Sequence, residues 1–556
     1  MPGKNIQQKY IFILGIAAIS LSVYIAASGT SEAASSLSVC GTLTVSNETY
    51  TLTADLASSG TCLVVAADNV VIDLNGFTVT YGSGGAAQAY GVQIGSGHSN
   101  LRVTNGSIRQ SPSAGSFAHA VYASSGSNDE FDHLNLEVYS DSSAAIQTWW
   151  GTGHHIHDNS ITSHVATIQD RHQNQGYDIQ LWNGGSFDVH DNTIVGGAQG
   201  GIFYYHSDNT RVYNNDISQG GQAIGYSNDF CIGASGGNSE VYGNTCHPVQ
   251  GRGIHLSGIA SKAYNNTINV IELENNAEYG GCQAGGTYGI QIEYPATNLE
   301  IYNNTVLARA DACDAQAFRA TQISEGDNCR VYGNNFSAQR VGSGIGRANA
   351  ISAADVSGGL TVDSNTLTGD SSDFSADWDG ASNIVFSANT VARGQNPSSY
   401  YTIDFANGGT HPSLGNVWRD AVYQNGADDT IYRVRSAAFE YTVQWTLAVT
   451  VRDQSGTAIS QASVGAFDSQ GTTVFSGQTD GNGMIAIPLN EYRRYNQSGV
   501  NYVQTLTPHS ITVTKQSYDP MTVSVTMDHA QSLEMRLTGG LPDSDAPNQV
   551  SDLSAT

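Results

Sequence analysis

Lysine is almost missing from this chain. Of 22 Lys and Arg residues in 556, only Lys4, Lys9, Lys262 and Lys515 are lysines. With 49 Asp and Glu the formal charge is -27. Such a surface repels nucleic acid and anionic membranes, so neither is expected as a partner. It also weighs mildly against an acidic polysaccharide, although a local patch of arginines could overrule the net charge. Cysteine is scarce too. Seven cysteines are too few for a disulfide scaffold, so the core has to come from packing. No C-x-x-C spacing occurs, which leaves zinc and haem sites without support. Beyond Ala27 no run is apolar enough to span a membrane. What is abundant is Gly, with 62 residues, beside many Asn, Ser and Thr. That composition favours turns over helices. The length points to more than one domain.

Residues 1–35 read as a signal peptide. Lys4 and Lys9 precede the apolar run Ile11 to Ala27, and small residues follow around Ser31-Glu32-Ala33. The alternative is an uncleaved anchor, since the run approaches spanning length. Cleavage predicts a secreted or cell-surface protein with no membrane span left.

One phrase is written six times between Asp188 and Asn334: Asp188-Val189-His190, Arg211-Val212-Tyr213, Glu240-Val241-Tyr242, Lys262-Ala263-Tyr264, Glu300-Ile301-Tyr302 and Arg330-Val331-Tyr332. It returns every 22 to 38 residues, the signature of a repeat architecture. The first position alternates in sign at every step. In a strand the apolar second position points inward, so the charge before it and the ring after it point outward. Parallel strands stacked about 4.8 Å apart would set each charge beside its opposite. A helical repeat would not place them in one straight file. The spacing therefore predicts a parallel β-solenoid whose coils stack in chain order. The asparagines Asn159, Asn192, Asn215, Asn244, Asn266, Asn304, Asn334, Asn365 and Asn389 fall three residues after the inward apolar residue. Stacked there, they can pass amide hydrogen bonds along the rod and tolerate a left-handed turn.

A second wall lies between these phrases. Its inward markers are Val92, Val121, Ile146, Ile179, Ile202, Ile224, Ile254, Ile290, Phe318 and Ile351, with another coil near Trp378 and the last at Ile403. About twelve coils give a rod of roughly 55 Å. Cys40 and Cys62 are about one coil apart and Cys231 and Cys246 flank one coil. Cys282 and Cys313 precede equivalent strands and are expected to link, which leaves Cys329 over.

The segment Asn69-Val70-Val71-Ile72-Asp73-Leu74-Asn75-Gly76-Phe77, together with the Val-Tyr-x-Asn repeats, resembles the right-handed parallel β-helix repeat proteins of the pectate-lyase-like superfamily. The resemblance covers roughly residues 40 to 405 and implies the handedness. The family includes lyases, hydrolases, epimerases, phage tailspikes and adhesins, so the resemblance implies a fold more than an activity. The paired aspartates and Gly-His-Gly of polygalacturonases are missing here, as is the Asp-Pro-His of mannuronan epimerases.

The expected organisation is an all-β chain: signal peptide 1–35, parallel β-helix 36–405, and a cap and linker 406–438 with Trp418 as plug. Strand alternation from Phe439 onward, with the turn at Asp480-Gly481-Asn482-Gly483, predicts a small Ig-like or transthyretin-like β-sandwich over 439–540. That segment resembles the carboxypeptidase regulatory-like module. Residues 541–556 resemble the opening of a fibronectin type III domain.

The charge and tyrosine file repeats because neighbouring coils satisfy one another. The second wall does not repeat, and a ligand site is expected there. Trp149, Trp182 and Tyr205 would line three adjacent coils, and rigid rings with a polar edge suit sugars. A hydrophobic stack covered by residues 163–177 fits equally. Gln180, Phe203 and Gln291 complete the expected binding surface. Glu293 lies diagonally between His255 and Arg319, at a separation long side chains can span. Base-assisted β-elimination needs a base at the carbon beside a carboxylate and a cation that neutralises it; here His255 and Arg319 would serve. Hydrolysis needs two carboxylates, and only Glu293 is at hand, with Asp178 several coils away. The plainer reading is a Glu293–Arg319 ion pair with His255 a bystander. Asp170-Arg171-His172 is a further polar cluster in an insertion.

These features lead to a secreted β-helix protein that binds polysaccharide or a cell-surface glycan and cleaves it as a lyase, or else a noncatalytic adhesin-type rod. No cofactor is expected, with a structural or catalytic calcium left open.

Overall fold

The computed structural model describes residues 34–140, 142–164, 176–196, 200–218, 230–249, 251–272, 287–310, 314–341, 346–376, 380–395, 399–405, 412–434, 438–497 and 499–539. The described residues are all-β, and up to Val434 their strands stack into three parallel walls.

The first wall holds the repeated phrase. Asp188 pairs with Arg211, Arg211 with Glu240, Glu240 with Lys262, Lys262 with Glu300 and Glu300 with Arg330, each in register. Val189, Val212, Val241, Ala263, Ile301 and Val331 are fully buried behind them. Outside, the rings form one column: His157 to His190 at 4.9 Å, His190 to Tyr213 at 4.6 Å, then Tyr213, Tyr242, Tyr264, Tyr302 and Tyr332 at 4.8 to 5.0 Å. Ring spacing thus equals rung spacing.

The corner between the first and second walls is an asparagine ladder. Asn159 Nδ2 donates to Asn192 Oδ1 at 2.9 Å, and the same bond repeats through Asn215, Asn244, Asn266, Asn304, Asn334 and Asn365 to Asn389 at 2.9 to 3.1 Å. Each inner amide also donates to a buried carbonyl, as Asn244 does to Val212 O at 2.9 Å. The left-handed turn is not at these residues. It sits one position earlier, at Asp191, Asn214, Asn265 and Asn303 (φ 54 to 56) and at Gly243 and Gly333. The ladder asparagine keeps an ordinary backbone so that its side chain can point inward.

The second wall carries the strands after that corner, such as Thr193–Val195, Asp216–Ser218 and Thr305–Ala310. The third is a sheet of 15 parallel strands, from Gly41–Leu43 to Tyr432–Val434. The twelve coils expected from the sequence omit Gly41–Leu43, Leu63–Val65 and Tyr432–Val434 at its ends. Two inward markers are also corrected. Ile232, not Ile224, faces Ile202 and Ile254, and Phe374 takes the place expected near Trp378. Both stretches carry an Ile-Gly pair, so apolar pattern alone could not choose between them. The Cys231–Cys246 disulfide fixes the strand that does pair. Ile224 and Trp378 lie outside the described residues.

Cys40–Cys62 is the other disulfide, and Cys329 is a free, buried thiol. Cys282 and Cys313 lie outside the described residues, as do residues 1–33 and 540–556.

The boundary expected at 439 falls on a strand that belongs to both parts of the chain. Phe439–Asp453 adds to the first wall through Val417↔Thr442 and Trp418↔Val443. It also pairs antiparallel with Met484–Gln497 over most of its length, from Glu440 to Thr450, and its second half pairs parallel with Gln531–Leu537. Leu447, Val449 and Val451 from this strand share a buried cluster with Val464, Ala466, Ile511 and Val513 of a separate four-stranded sheet. Trp418 is buried in the last coils of the rod and stacks on Phe386 at 4.5 Å.

Candidate functional site

The third wall shows three outward rows, set by the inward markers. One row lies two residues before each marker, one lies one residue after, and one lies three after. Strand pairing puts Trp149, Trp182 and Tyr205 side by side in the last of these. Trp149 and Trp182 stack at 5.3 Å and 9°, and Tyr205 leans on Trp182 at 5.5 Å and 60°. Tyr205 is 37% exposed and also covers His206 at 3.8 Å. These three rings form an aromatic step that follows the rod axis.

Phe203, Gln180 and Gln291 occupy the middle row but are buried, which corrects their expected place on the binding surface. Phe203 is 8% exposed because its ring stacks on Tyr177 at 4.7 Å and belongs to a cluster with Phe230. Gln180 accepts a 2.6 Å bond from Gln147 Nε2. Gln291 Nε2 donates to Glu293 Oε2 at 3.1 Å. These residues support the wall from beneath. Among the described residues, Gln180 Nε2, Gln291 Oε1 and Trp182 Nε1 find no hydrogen-bond partner.

His255, Glu293 and Arg319 do come together on three successive strands: His255 pairs with Gln291, which pairs with Arg319, and Glu293 follows two residues on. His255 Nε2 lies 3.3 Å from Glu293 Oε2. Burial pushes the His255 pKa below its usual value, and the Glu293 hydrogen bond opposes this only in part. The same bond, followed by the charges of His255, Arg252 and Arg319, outweighs burial and holds Glu293 below the ordinary carboxylate range. A neutral imidazole beside a carboxylate donates from Nε2, which leaves Nδ1 as the basic nitrogen. Arg319 Nε donates to Thr321 Oγ1 at 3.1 Å and its guanidinium lies 4.9 Å over the Tyr288 ring.

Three residues of this cluster escaped sequence reasoning: Phe230, Arg252 and Tyr288, all in the row two before the marker. Arg252 lies between the Phe230 ring at 5.2 Å and the Tyr288 ring at 5.5 Å, and Phe230 stacks on His255 at 5.0 Å. Two guanidinium groups therefore flank the histidine and its carboxylate, in a chain of net charge -27. The missing signal was the register. With Ile232 as the marker, Phe230 falls into line with Arg252 and Tyr288.

No second wall carboxylate lies near Glu293 among the described residues. Asp404 is four rungs away, about 19 Å, and Arg433 binds it through both of its oxygens. Asp178 is 1% exposed, and burial holds its carboxyl well above the ordinary range. Asp170-Arg171-His172 lies outside the described residues. Among the described residues no group of three or more His, Cys, Asp or Glu side chains is placed to hold a metal ion, and no helix is long and apolar enough to cross a membrane.

A protein-family profile described as a right handed beta helix region matches residues 134–336. With the three parallel walls, it makes the rod a right-handed parallel β-helix. Among solved structures the chain is similar to the Agl-KA catalytic domain, at 14% identity and a TM-score of 0.44, over 62% of this chain and 62% of that one. The chain thus spans under two thirds of that protein's length. It is also similar to the tailspike protein of E. coli bacteriophage HK620 in complex with pentasaccharide, at 11% identity and a TM-score of 0.36, over 86% of this chain and 87% of that one. No curated protein sequence matches.

Proposed function

We propose that this chain is an exported polysaccharide-binding β-helix that cleaves its substrate by β-elimination on the third wall. One observation carries the reading: His255 and Glu293 meet at 3.3 Å on a wall where Arg252 and Arg319 are the neighbouring cations and, among the described residues, no second carboxylate is in reach. In the elimination, His255 Nδ1 takes the proton from the carbon beside a uronate carboxylate. Arg319, with Arg252 behind it, neutralises that carboxylate as negative charge builds on it. The bond to the leaving glycosidic oxygen breaks, a carbon–carbon double bond forms in the ring, and the leaving oxygen takes a proton from water. Glu293 orients the imidazole and is not consumed. A hydrolase would need two carboxylates within about 10 Å of each other, which this wall lacks among its described residues. Trp149, Trp182 and Tyr205 hold sugar rings further along the same axis.

Residues 1–35 export the chain, and 439–540 serve as a carboxypeptidase regulatory-like accessory module. The regular asparagine and tyrosine columns favour a second reading, an adhesin-type rod that binds without turnover. Incubating the purified chain with a panel of polysaccharides separates the two. Unsaturated products that vanish in His255→Ala support elimination. New reducing ends without unsaturation point to hydrolysis, and binding without products supports the rod.

A further inference from the structure

The third wall holds a second aromatic site nearer the N-terminus. Tyr90 lies two residues before Val92, and His119 and Tyr122 flank Val121 on the next strand. The Tyr90 and Tyr122 rings stack at 4.8 Å and 15°, and His119 lies nearly parallel to both, at 5.9 and 6.1 Å. With Gln88, Gln147 and Trp149 they line a cleft of about 290 Å³. Trp149 is shared with the aromatic step, so cleft and step are continuous.

None of the lining residues carries a full charge. Burial lowers the His119 pKa to about 3, and its Nδ1 accepts a 2.9 Å bond from the Ala144 amide, so its ring stays neutral. Flat rings with amide and phenol groups at their edges fit the face and hydroxyls of a sugar. A carboxylate brought into this cleft would lose water and meet no cation, which costs several kcal/mol. The cluster around His255 is the opposite environment, with two guanidinium groups. Five rungs separate Tyr122 from His255, about 24 Å.

We infer that the Tyr90–Tyr122–Trp149 cleft is a subsite for an uncharged sugar, and that the substrate is a heteropolysaccharide with neutral residues a few units from its uronate. This rests on the third wall being the glycan-binding face, but not on His255 acting as a base. The test is titration calorimetry of the full chain with cellohexaose, mannohexaose and hexagalacturonate, on the parent and on Tyr122→Ala. Tyr122→Leu keeps apolar bulk if the alanine variant is unstable. A neutral hexamer should bind, lose at least tenfold affinity in either variant, and quench tryptophan fluorescence that is absent in Trp149→Phe. Hexagalacturonate should be indifferent to Tyr122. Equal loss for charged and neutral probes, or no binding of either neutral hexamer, overturns the inference. Cleft binding that survives while no polymer yields unsaturated products refutes the elimination reading alone. Efficient elimination of polygalacturonate with no binding of either neutral hexamer does the reverse.

Discussion

His255 Nε2 sits 3.3 Å from Glu293 Oε2, one rung and one diagonal apart on the third wall. The pair sets a pH dependence. Burial and the charge of Arg252 push the imidazole below its usual 6.5, and Glu293 pulls it partway back. The neutral imidazole therefore persists below pH 6.5, and with His255 as the proposed base the acid limb of turnover should have its midpoint there. Glu293→Gln removes a group that favours the imidazolium, so both the limb and the NMR titration of His255 move further toward acid. His255→Ala lowers turnover by roughly 10²–10⁴-fold. A His255 titration midpoint at or above 6.5 contradicts this environment.

A buried pair inside the rod contributes to the pH dependence of stability. Asp129 and His154 are both fully buried, with Asp129 Oδ2 3.4 Å from His154 Nδ1. Burial raises the Asp129 pKa to about 7 and lowers that of His154 to about 4. A carboxyl raised on folding stabilises below its unfolded pKa of 3.8, and that contribution is lost as pH rises toward 7. Asp129→Asn mimics the protonated acid and keeps an acceptor for the Leu101 amide. It should leave stability at pH 4 nearly unchanged and raise it at pH 8, by roughly 1–4 kcal/mol. Denaturant midpoints at the two pH values check this, and an equal change at both would place the ionisation elsewhere.

The asparagine ladder and the charge file were legible in the sequence, because each obeys a rule that a single coil already shows. Val212 must face inward, so Arg211 and Tyr213 must face outward, and stacking does the rest. Ile232 and Phe230 were not legible. The choice between Ile224 and Ile232 depends on which strand pairs across the sheet, a contact distant in sequence. The burial of Phe203 was hidden for the same reason. Its alternation says outward, yet the rings of Tyr177 and Phe230 close over it from neighbouring coils. His255, Glu293 and Arg319 could be placed together because register from Ile254 to Phe318 is continuous in the pattern.

Removing a rung from the middle of the ladder should cost more than removing its end. Asn244→Ala takes the shared acceptor Oδ1 from both amides of Asn215, the side-chain donor from the carbonyl of Val212, and one of the two donors from Asn266 Oδ1, which keeps the backbone amide of residue 244. Buried groups left unpaired cost about 1–3 kcal/mol each. Asn389→Ala strips the acceptor from Asn365 and the donor from Val362 O, with no ladder asparagine beyond it. Thermal unfolding should rank Asn244→Ala below Asn389→Ala, and the reverse order would mean that the ladder does not act as a chain.

Glu240 lies in register between Arg211 and Lys262. Glu240→Arg sets three cations in a row. At low salt the melting temperature should fall, by the equivalent of about 0.5–1 kcal/mol. Most of the loss should disappear near 1 M salt, where screening reaches only about 3 Å. A loss that persists at high salt would come from packing against the tyrosine column instead of charge.

Phe203 and Trp182 lie one rung apart on the same wall and should respond oppositely. Phe203 is buried between Tyr177 and Phe230, so Phe203→Ala opens a cavity and destabilises by roughly 3–5 kcal/mol. Trp182 is half-buried, with one face on Trp149 and its edge toward Phe203. Trp182→Ala loses part of that packing and a platform for a sugar ring. Glycan affinity should drop about tenfold, the size of one lost stacking contact of ~1.4 kcal/mol. The comparison needs both readouts on both variants: denaturant unfolding, and retention on an immobilised glycan that the parent binds. Phe203→Ala should lose stability and, at a temperature where it is folded, keep most of its retention. Trp182→Ala should keep more stability and lose retention. If Trp182→Ala retains glycan as the parent does, the aromatic step is a structural stack, and the binding face has to be sought away from it.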